Sequence, residues 1–341
     1  MKSRTRTNKA SLQSMATRTA LLLVFAVSLI TSGFVLSANA NERKTAIVTF
    51  DVPGAGTAAG QGTIGYAMTP NETITGQYTD SGNVVHGYVR APDGTFITFD
   101  APGAGTAAHQ GTMPFSINPA GTITGFYVDT AGAMHGFVRT RGGAITTIDV
   151  PGAGAGAGQG TLAYNINPPG TIAGFYFDAG SVIHGFVRAP DGGITTFDAP
   201  GAGTATGQGT VTAAVDGLNP AGAIGGNYLD ASNVFHGYVR DANGAITTFD
   251  APGAGTGAMQ GTLSAGINPA GTVMGDYLDA SNVNHSFVRD KHGAITTFDV
   301  PGAGTAAGQG TIPLTNNQSG AIVGYYIDAS NVDHGFLVEG E

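Results

Sequence analysis

The sequence predicts an all-β chain folded as a six-bladed β-propeller with four-stranded blades. Three observations carry this reading: six copies of one unit, four strand-like runs in each copy, and chain ends that complement each other. The stretch "FDAPGAGTAAHQGT", Phe99 to Thr112, recurs with its Asp at Asp51, Asp100, Asp149, Asp198, Asp250 and Asp299, spaced 49, 49, 49, 52 and 49 residues apart. A repeat of this length is one supersecondary unit that cannot bury its apolar face alone and must stack on its neighbours.

In the second unit the runs are "TMPFSIN" (112–118), "TITGFYVD" (122–129), "AMHGFVR" (133–139) and "AITTID" (144–149). Turn chemistry separates them: Pro119-Ala120-Gly121, Thr130-Ala131-Gly132 and Arg141-Gly142-Gly143. None reaches helix length. The 56 glycines lack the every-third-residue period of collagen, so they mark tight turns. Four short strands per period of about 50 residues is the pattern of a propeller blade.

The chain ends indicate a ring. Thr45 to Asp51, "TAIVTFD", copies the fourth strand, whereas the last unit stops after its third, "DHGFLVEGE". If the N-terminal strand completes the last blade, six blades close and no sheet edge is left bare. An open β-solenoid is the alternative, but it would need distinct capping repeats, and the six units show none.

Residues 1–40 read as a secretory signal peptide, leaving one propeller domain over 41–341. Lys2, Arg4, Arg6, Lys9 and Arg18 precede the apolar run Ala20 to Ile30, and Ala38-Asn39-Ala40 has the small-x-small form of a cleavage site. The run is too short for a comfortable membrane span, so a secreted or periplasmic protein with no span after cleavage is expected. Removing those five basic residues takes the formal net charge from −9 to about −14. Such a surface repels phosphate backbones, which excludes nucleic acid as a partner. With no cysteine, packing and hydrogen bonds alone must hold the fold. A monomer without cofactor is expected.

Two motifs repeat with the units. "DxPGAGTxxxQGT" reads as the crossing from the outer strand of one blade to the inner strand of the next: Pro ends the ladder, and the Asp is expected to accept N–H groups of the turn. It is no phosphate loop, because no helix follows and no Lys-Ser or Lys-Thr closes it. The second motif, "YxDxxxxxHG[FY]VR", flanks the turn between second and third strands. Its pairs are Asp80/His86, Asp129/His135, Asp178/His184, Asp230/His236, Asp279/His285 and Asp328/His334. A hairpin brings such residues together, so the carboxylate can hold the imidazole while accepting from the turn backbone. One Asp and one His are too few ligands for a metal.

The combination "INPAGTITGFYVD", "HGFVR" and "ITTFDAPGAGT" resembles the HAF-type bacterial extracellular repeat proteins over Thr45 to Val338. The resemblance implies an exported repeat protein folded as a propeller and brings no activity with it. These units depart from the family's pattern at Pro119, Pro168, Pro220 and Pro269, where Asp often follows Asn.

Three functional classes follow. The first is a non-enzymatic binding or scaffold module, with the Asp/His turns and Gln61, Gln110, Gln159, Gln208, Gln260 and Gln309 on one face as contacts for a glycan or cell-surface ligand. Repetition raises avidity without new contacts, although the absence of Trp counts against a sugar-stacking site. The second is a hydrolase or lyase working at the central channel near the fourth blade. Catalysis needs unlike groups, so its site should break the symmetry. The three extra residues of "VTAAVDGLNP" place Asp216 there, and the variable position before the repeated Tyr holds Asp276; these two are the only candidates for a carboxylate pair. The third is a purely structural surface protein.

Overall fold

The computed structural model describes residues 48–213, 216–317 and 319–339. The expected leader, residues 1–40, and the start of the expected closing strand, Thr45 to Ile47, lie outside them. The described residues are all-β: 23 strands form five meanders of four and a last one of three. In the second unit the strands are Gly111–Ile117, Ile123–Val128, Met134–Arg139 and Ile145–Ile148, paired antiparallel in sequence order. Each agrees with the sequence reading to within two residues.

Local chemistry fixes the turns. Asn118 opens the turn between first and second strands, where its Oδ1 accepts from the N–H of Thr122 at 3.0 Å. Its Nδ2 donates onward to the carbonyl of Asn167 in the next unit, and Asn167, Asn219 and Asn268 repeat this to Asn219, Asn268 and Asn317 at 3.1–3.3 Å. An amide ladder thus joins units two to six.

The crossing motif is built differently from the sequence reading. The N–H of Ala101 donates to the Oγ1 of Thr112 at 2.9 Å, so the buried Thr of Gln-Gly-Thr holds this turn and the Asp does not. Gly111 sits at φ +118° with the carbonyl of Val85, in the preceding unit, where a Cβ would come within 1.9 Å of it. Only glycine fits, and Gly160, Gly209, Gly261 and Gly310 repeat the approach at 1.9–2.0 Å.

The core lies in the seams between units. Phe137, Tyr238 and Phe287 on third strands are fully buried, and each meets the fourth-strand Phe of the preceding unit edge-on: Phe99, Phe197 and Phe249, at 5.8–6.2 Å between centroids. Arg139, Arg240 and Arg289 lie over those same Phe rings at 4.6–5.0 Å. Burying one such aromatic stabilises by about 1.5–3 kcal/mol, so each seam supports both of its units.

The three extra residues of unit four show that the units curl around a common axis. Asn165 of unit three donates from Nδ2 to Ala213 O at 2.9 Å, and Asp216 O accepts from the N–H of Ile267 in unit five at 2.9 Å. Asp216 Oδ2 also accepts from Thr315 Oγ1 in unit six at 3.0 Å. One segment therefore touches three other units. Tyr66, Phe115 and Tyr164 from units one to three also pack ring against ring across the seams, tilted, with centroids 4.9 and 4.7 Å apart.

The sheet is not closed among the described residues. Val48 to Phe50 pair with no strand, and the last strand, Asp333–Val338, keeps a free edge among the described residues. Only three residues of the expected closing strand precede Asp51 here, fewer than the four-residue ladders that fourth strands make elsewhere. Phe50 nevertheless takes the place of a preceding unit's fourth-strand Phe, against Tyr88 at 6.3 Å and under Arg90.

Candidate functional site

The histidines stand where the second motif put them, but their main partner is a residue the sequence reading gave another task. In five of the six units the third-strand His lies directly across the ladder from the Asp of the crossing motif. His86, His135, His184, His236 and His285 donate from Nδ1 to Asp100, Asp149, Asp198, Asp250 and Asp299 at 2.8–3.0 Å. The signal was present in the sequence as a constant offset of fourteen residues. The offset alone does not reveal the pairing, because which residues face each other across a ladder depends on register.

The expected pairs are also brought together, more loosely. The Nε2 of His86, His135, His184, His236, His285 and His334 lies 3.3–3.6 Å from Oδ2 of Asp80, Asp129, Asp178, Asp230, Asp279 and Asp328. Only at His135 and His334 is this within hydrogen-bond range. The other oxygen of each Asp holds the turn: Asp80 Oδ1 accepts from Gly82 and Val84 N–H, both at 2.8 Å. The Val84 N–H foremost holds the Asp80 carboxyl below its ordinary value, and the Val332 N–H does the same for Asp328.

Each imidazole also stacks on the Tyr across the second–third strand pair, at 4.8–5.0 Å between centroids from Tyr78/His86 to Tyr326/His334. A ring held at Nδ1, flanked by a second carboxylate at Nε2 and covered on one face has little left to offer a ligand. The accessible groups are the carboxylates: Asp149 and Asp250 side chains are 58% and 55% exposed, against 25% and 21% for their histidines. Among the described residues no group of three or more His, Asp or Glu is arranged to hold a metal ion.

The crossing loops and Asp/His turns do meet on one face, and the glutamines join them. Gln110 O accepts from the N–H of Val85 in the preceding unit at 2.9 Å, and its side-chain Nε2 donates to Thr130 O in its own unit at 3.3 Å. Gln208 and Gln260 do likewise and add the Oδ1 of Asn233 and Asn282. These side chains are therefore connectors between turns.

The two symmetry-breaking carboxylates do not form a pair. Asp216 lines a cavity of about 250 Å³ at the opposite face, together with the Asn-Pro turns of units three to five. Asp276 is not in its lining. It lies on the second strand of unit five, where burial pushes its carboxyl up to about 7. At the matching position in unit four, Asn227 grips the backbone of Ser264 in unit five, donating to its O and accepting from its N–H. The residue matching Ser264 in unit six is Pro313, which has no N–H to give.

No protein-family model matches the chain, and neither does any curated protein. Among solved structures, AofleA from Arthrobotrys oligospora shares 14% identity in its triple mutant at a TM-score of 0.43, over 81% of this chain and 83% of that one. The fungal lectin of Aleuria aurantia, described as a six-bladed β-propeller with a novel fucose recognition mode, shares 14% at 0.40 over 81% and 90%. A prolyl endopeptidase shares 9% at 0.46 over 81% of this chain but 39% of its own. None of these scores reaches 0.5, so the likeness identifies neither closure nor a ligand for this chain.

Proposed function

We propose that the chain is an exported, non-enzymatic binding or scaffold module: a closed six-bladed ring that presents six near-identical carboxylate–imidazole sites on one face to a glycan or another cell-surface component. The observation that carries this reading is the sameness of the couples, whose Nδ1–carboxylate distances span only 2.8–3.0 Å in five units. A catalytic site needs groups made unlike by their surroundings. Repeated equal sites suit a multivalent ligand, whose hydroxyls the exposed carboxylates can accept. The leader-like first 40 residues and the HAF-type motifs support export.

Closure supplies the sixth site. The ladder register that sets Gly185 opposite Phe197 would set Gly335 opposite Phe50 and His334 opposite Asp51. Three features support this seam. His334 has Asp328 beside Nε2 but no crossing-motif Asp at Nδ1 among the described residues. Gly62 keeps the φ of +111° and the glycine of its counterparts with no carbonyl pressed against it. Seven of the nine exposed large apolar residues among those described lie toward the two chain ends, Val48, Ile64 and Met68 at one and Val323, Val332, Leu337 and Val338 at the other; Ile97 and Met259 are the other two. A closed ring leaves no edge and favours a monomer.

The test is a glycan-array screen followed by titration calorimetry of the mature protein. The reading expects a stoichiometry above one, reduced by one site in the Asp230→Ala/Asp250→Ala double variant. The alternative, a hydrolase or lyase near the fourth unit, draws on Asp216 in its cavity. Turnover abolished by Asp216→Ala with folding intact would replace the binding reading with that one.

A further inference from the structure

The turns between third and fourth strands lie at the far end of the third strands from the Asp/His couples, and the turn of unit two breaks their pattern. In the other four a carboxylate holds the last backbone N–H before the fourth strand. Asp93 Oδ1 accepts from Thr95, Asp191 from Gly193, Asp241 from Ala245 and Asp290 from Ala294, at 2.8–3.0 Å. Unit two spells the same turn Arg139-Thr140-Arg141-Gly142-Gly143-Ala144, with two basic residues and no acidic one. The matching N–H, on exposed Ala144, has no acceptor among the described residues.

The missing carboxylate also leaves a charge uncovered. Arg139 is only 6% exposed and lies over the Phe99 ring at 4.6 Å. Its Nη1 donates to Thr140 O at 3.4 Å, and its Nη2 lies beside the turn, 3.5 Å from where a Cβ on Gly143 would stand. Burial lowers the pKa of Arg139, Arg240 and Arg289 alike; the Asp241 and Asp290 carboxylates oppose it in the last two, and no carboxylate opposes it at Arg139. Buried charges are ordinarily paired. Arg141, exposed, adds a second positive charge to the same turn and lays its stem along Gly121 of its own unit.

We propose that the turn from Arg139 to Ala144 binds a carboxylate-bearing ligand, which takes the place that Asp93, Asp191, Asp241 and Asp290 fill in the other units. The Ala144 N–H and the two guanidiniums donate, and the ligand's carboxylate accepts. His135 and its carboxylates stand four residues back along the strand, about 13 Å away and beyond a Debye length of about 8 Å, so their repulsion of an anion is largely screened. The site occurs in unit two alone and is independent of the repeated couples.

Heteronuclear amide NMR of the full mature chain, titrated with sodium glucuronate and with sodium acetate at constant ionic strength, tests this. The Ala144 N–H should shift saturably, while the matching Ala245 N–H, already held by Asp241, stays still. Either ranking of the two probes bears the site out: a preference for glucuronate assigns it to an acidic sugar, and equal affinity to any small carboxylate. Thr140→Asp places a carboxylate where Asp241 and Asp290 have theirs, so it should abolish the shift and raise the melting temperature. Arg141→Ala should weaken binding by about tenfold. An Ala144 signal that never saturates, or a Thr140→Asp variant that binds as tightly as the wild type, would overturn the site.

Discussion

Asp149 lies directly across the ladder from His135 and takes its Nδ1 hydrogen bond at 2.8 Å, while Asp129 flanks the other ring nitrogen at 3.4 Å. Each such couple ties a crossing loop to the end of a third strand. The partners are half-exposed, which limits the net gain. Replacing His184 by Ala should lower stability by about 0.5–1 kcal/mol, and Asp198→Ala by a similar amount. A double-mutant cycle in urea checks this, since additive losses would show that the two do not interact.

The turn carboxylates make stability acid-sensitive. Asp80 and Asp328 are held below their ordinary values, so the stabilisation they give is present above the unfolded value near pH 4 and lost as pH falls through the folded one. Melting temperature should therefore fall below about pH 4, and Asp80→Asn should flatten part of that fall. An unchanged acid limb in the variant would contradict this.

Asp276 works in the opposite direction. Its carboxyl is raised to about 7 by burial, so the folded state holds a proton that the unfolded chain releases near pH 4. Stability should decline as pH rises from about 4 to about 7 on this account. Asp276→Asn should remove that decline and gain about 1–3 kcal/mol at pH 8, because an amide can also donate to Pro313 O as Asn227 does to Ser264. Chemical denaturation at pH 5 and pH 8 measures both limbs, and a variant that keeps the wild-type difference would refute the role.

The repeat, the strands and the turns were legible in the sequence because they rest on local chemistry: Asn118 caps its own turn, and Asp80 holds its own hairpin. The couple of His135 with Asp149 was not, since it depends on ladder register. Nor was the task of Thr112, a hydroxyl acting eleven residues back on Ala101. The path of the insertion was hidden for a different reason. Asp216 meets Thr315, 99 residues away, only once the units have curled around the axis.

Glycine substitution separates a closed ring from an open one. Gly209→Ala should cost more than about 3 kcal/mol, since its Cβ would lie 2.0 Å from Ile183 O at φ +122°. Gly62→Ala meets no such carbonyl in the open arrangement and should then cost only the strain of positive φ, about 1 kcal/mol. In a closed ring the last strand supplies the missing carbonyl, and the two variants should unfold at similar urea concentrations. A Gly62→Ala variant much milder than Gly209→Ala would argue for an open chain.

The seam itself can be trapped directly. The chain has no cysteine, so Asp51→Cys with His334→Cys places two thiols at positions that face each other across a ladder if the ring closes. Mild oxidation of this double variant at low protein concentration, followed by mass spectrometry and non-reducing electrophoresis, measures closure. A ring of six equal sites predicts rapid, near-complete disulfide formation within single chains, with the melting temperature raised. Thiols that stay free, or that cross-link only between chains, would contradict it.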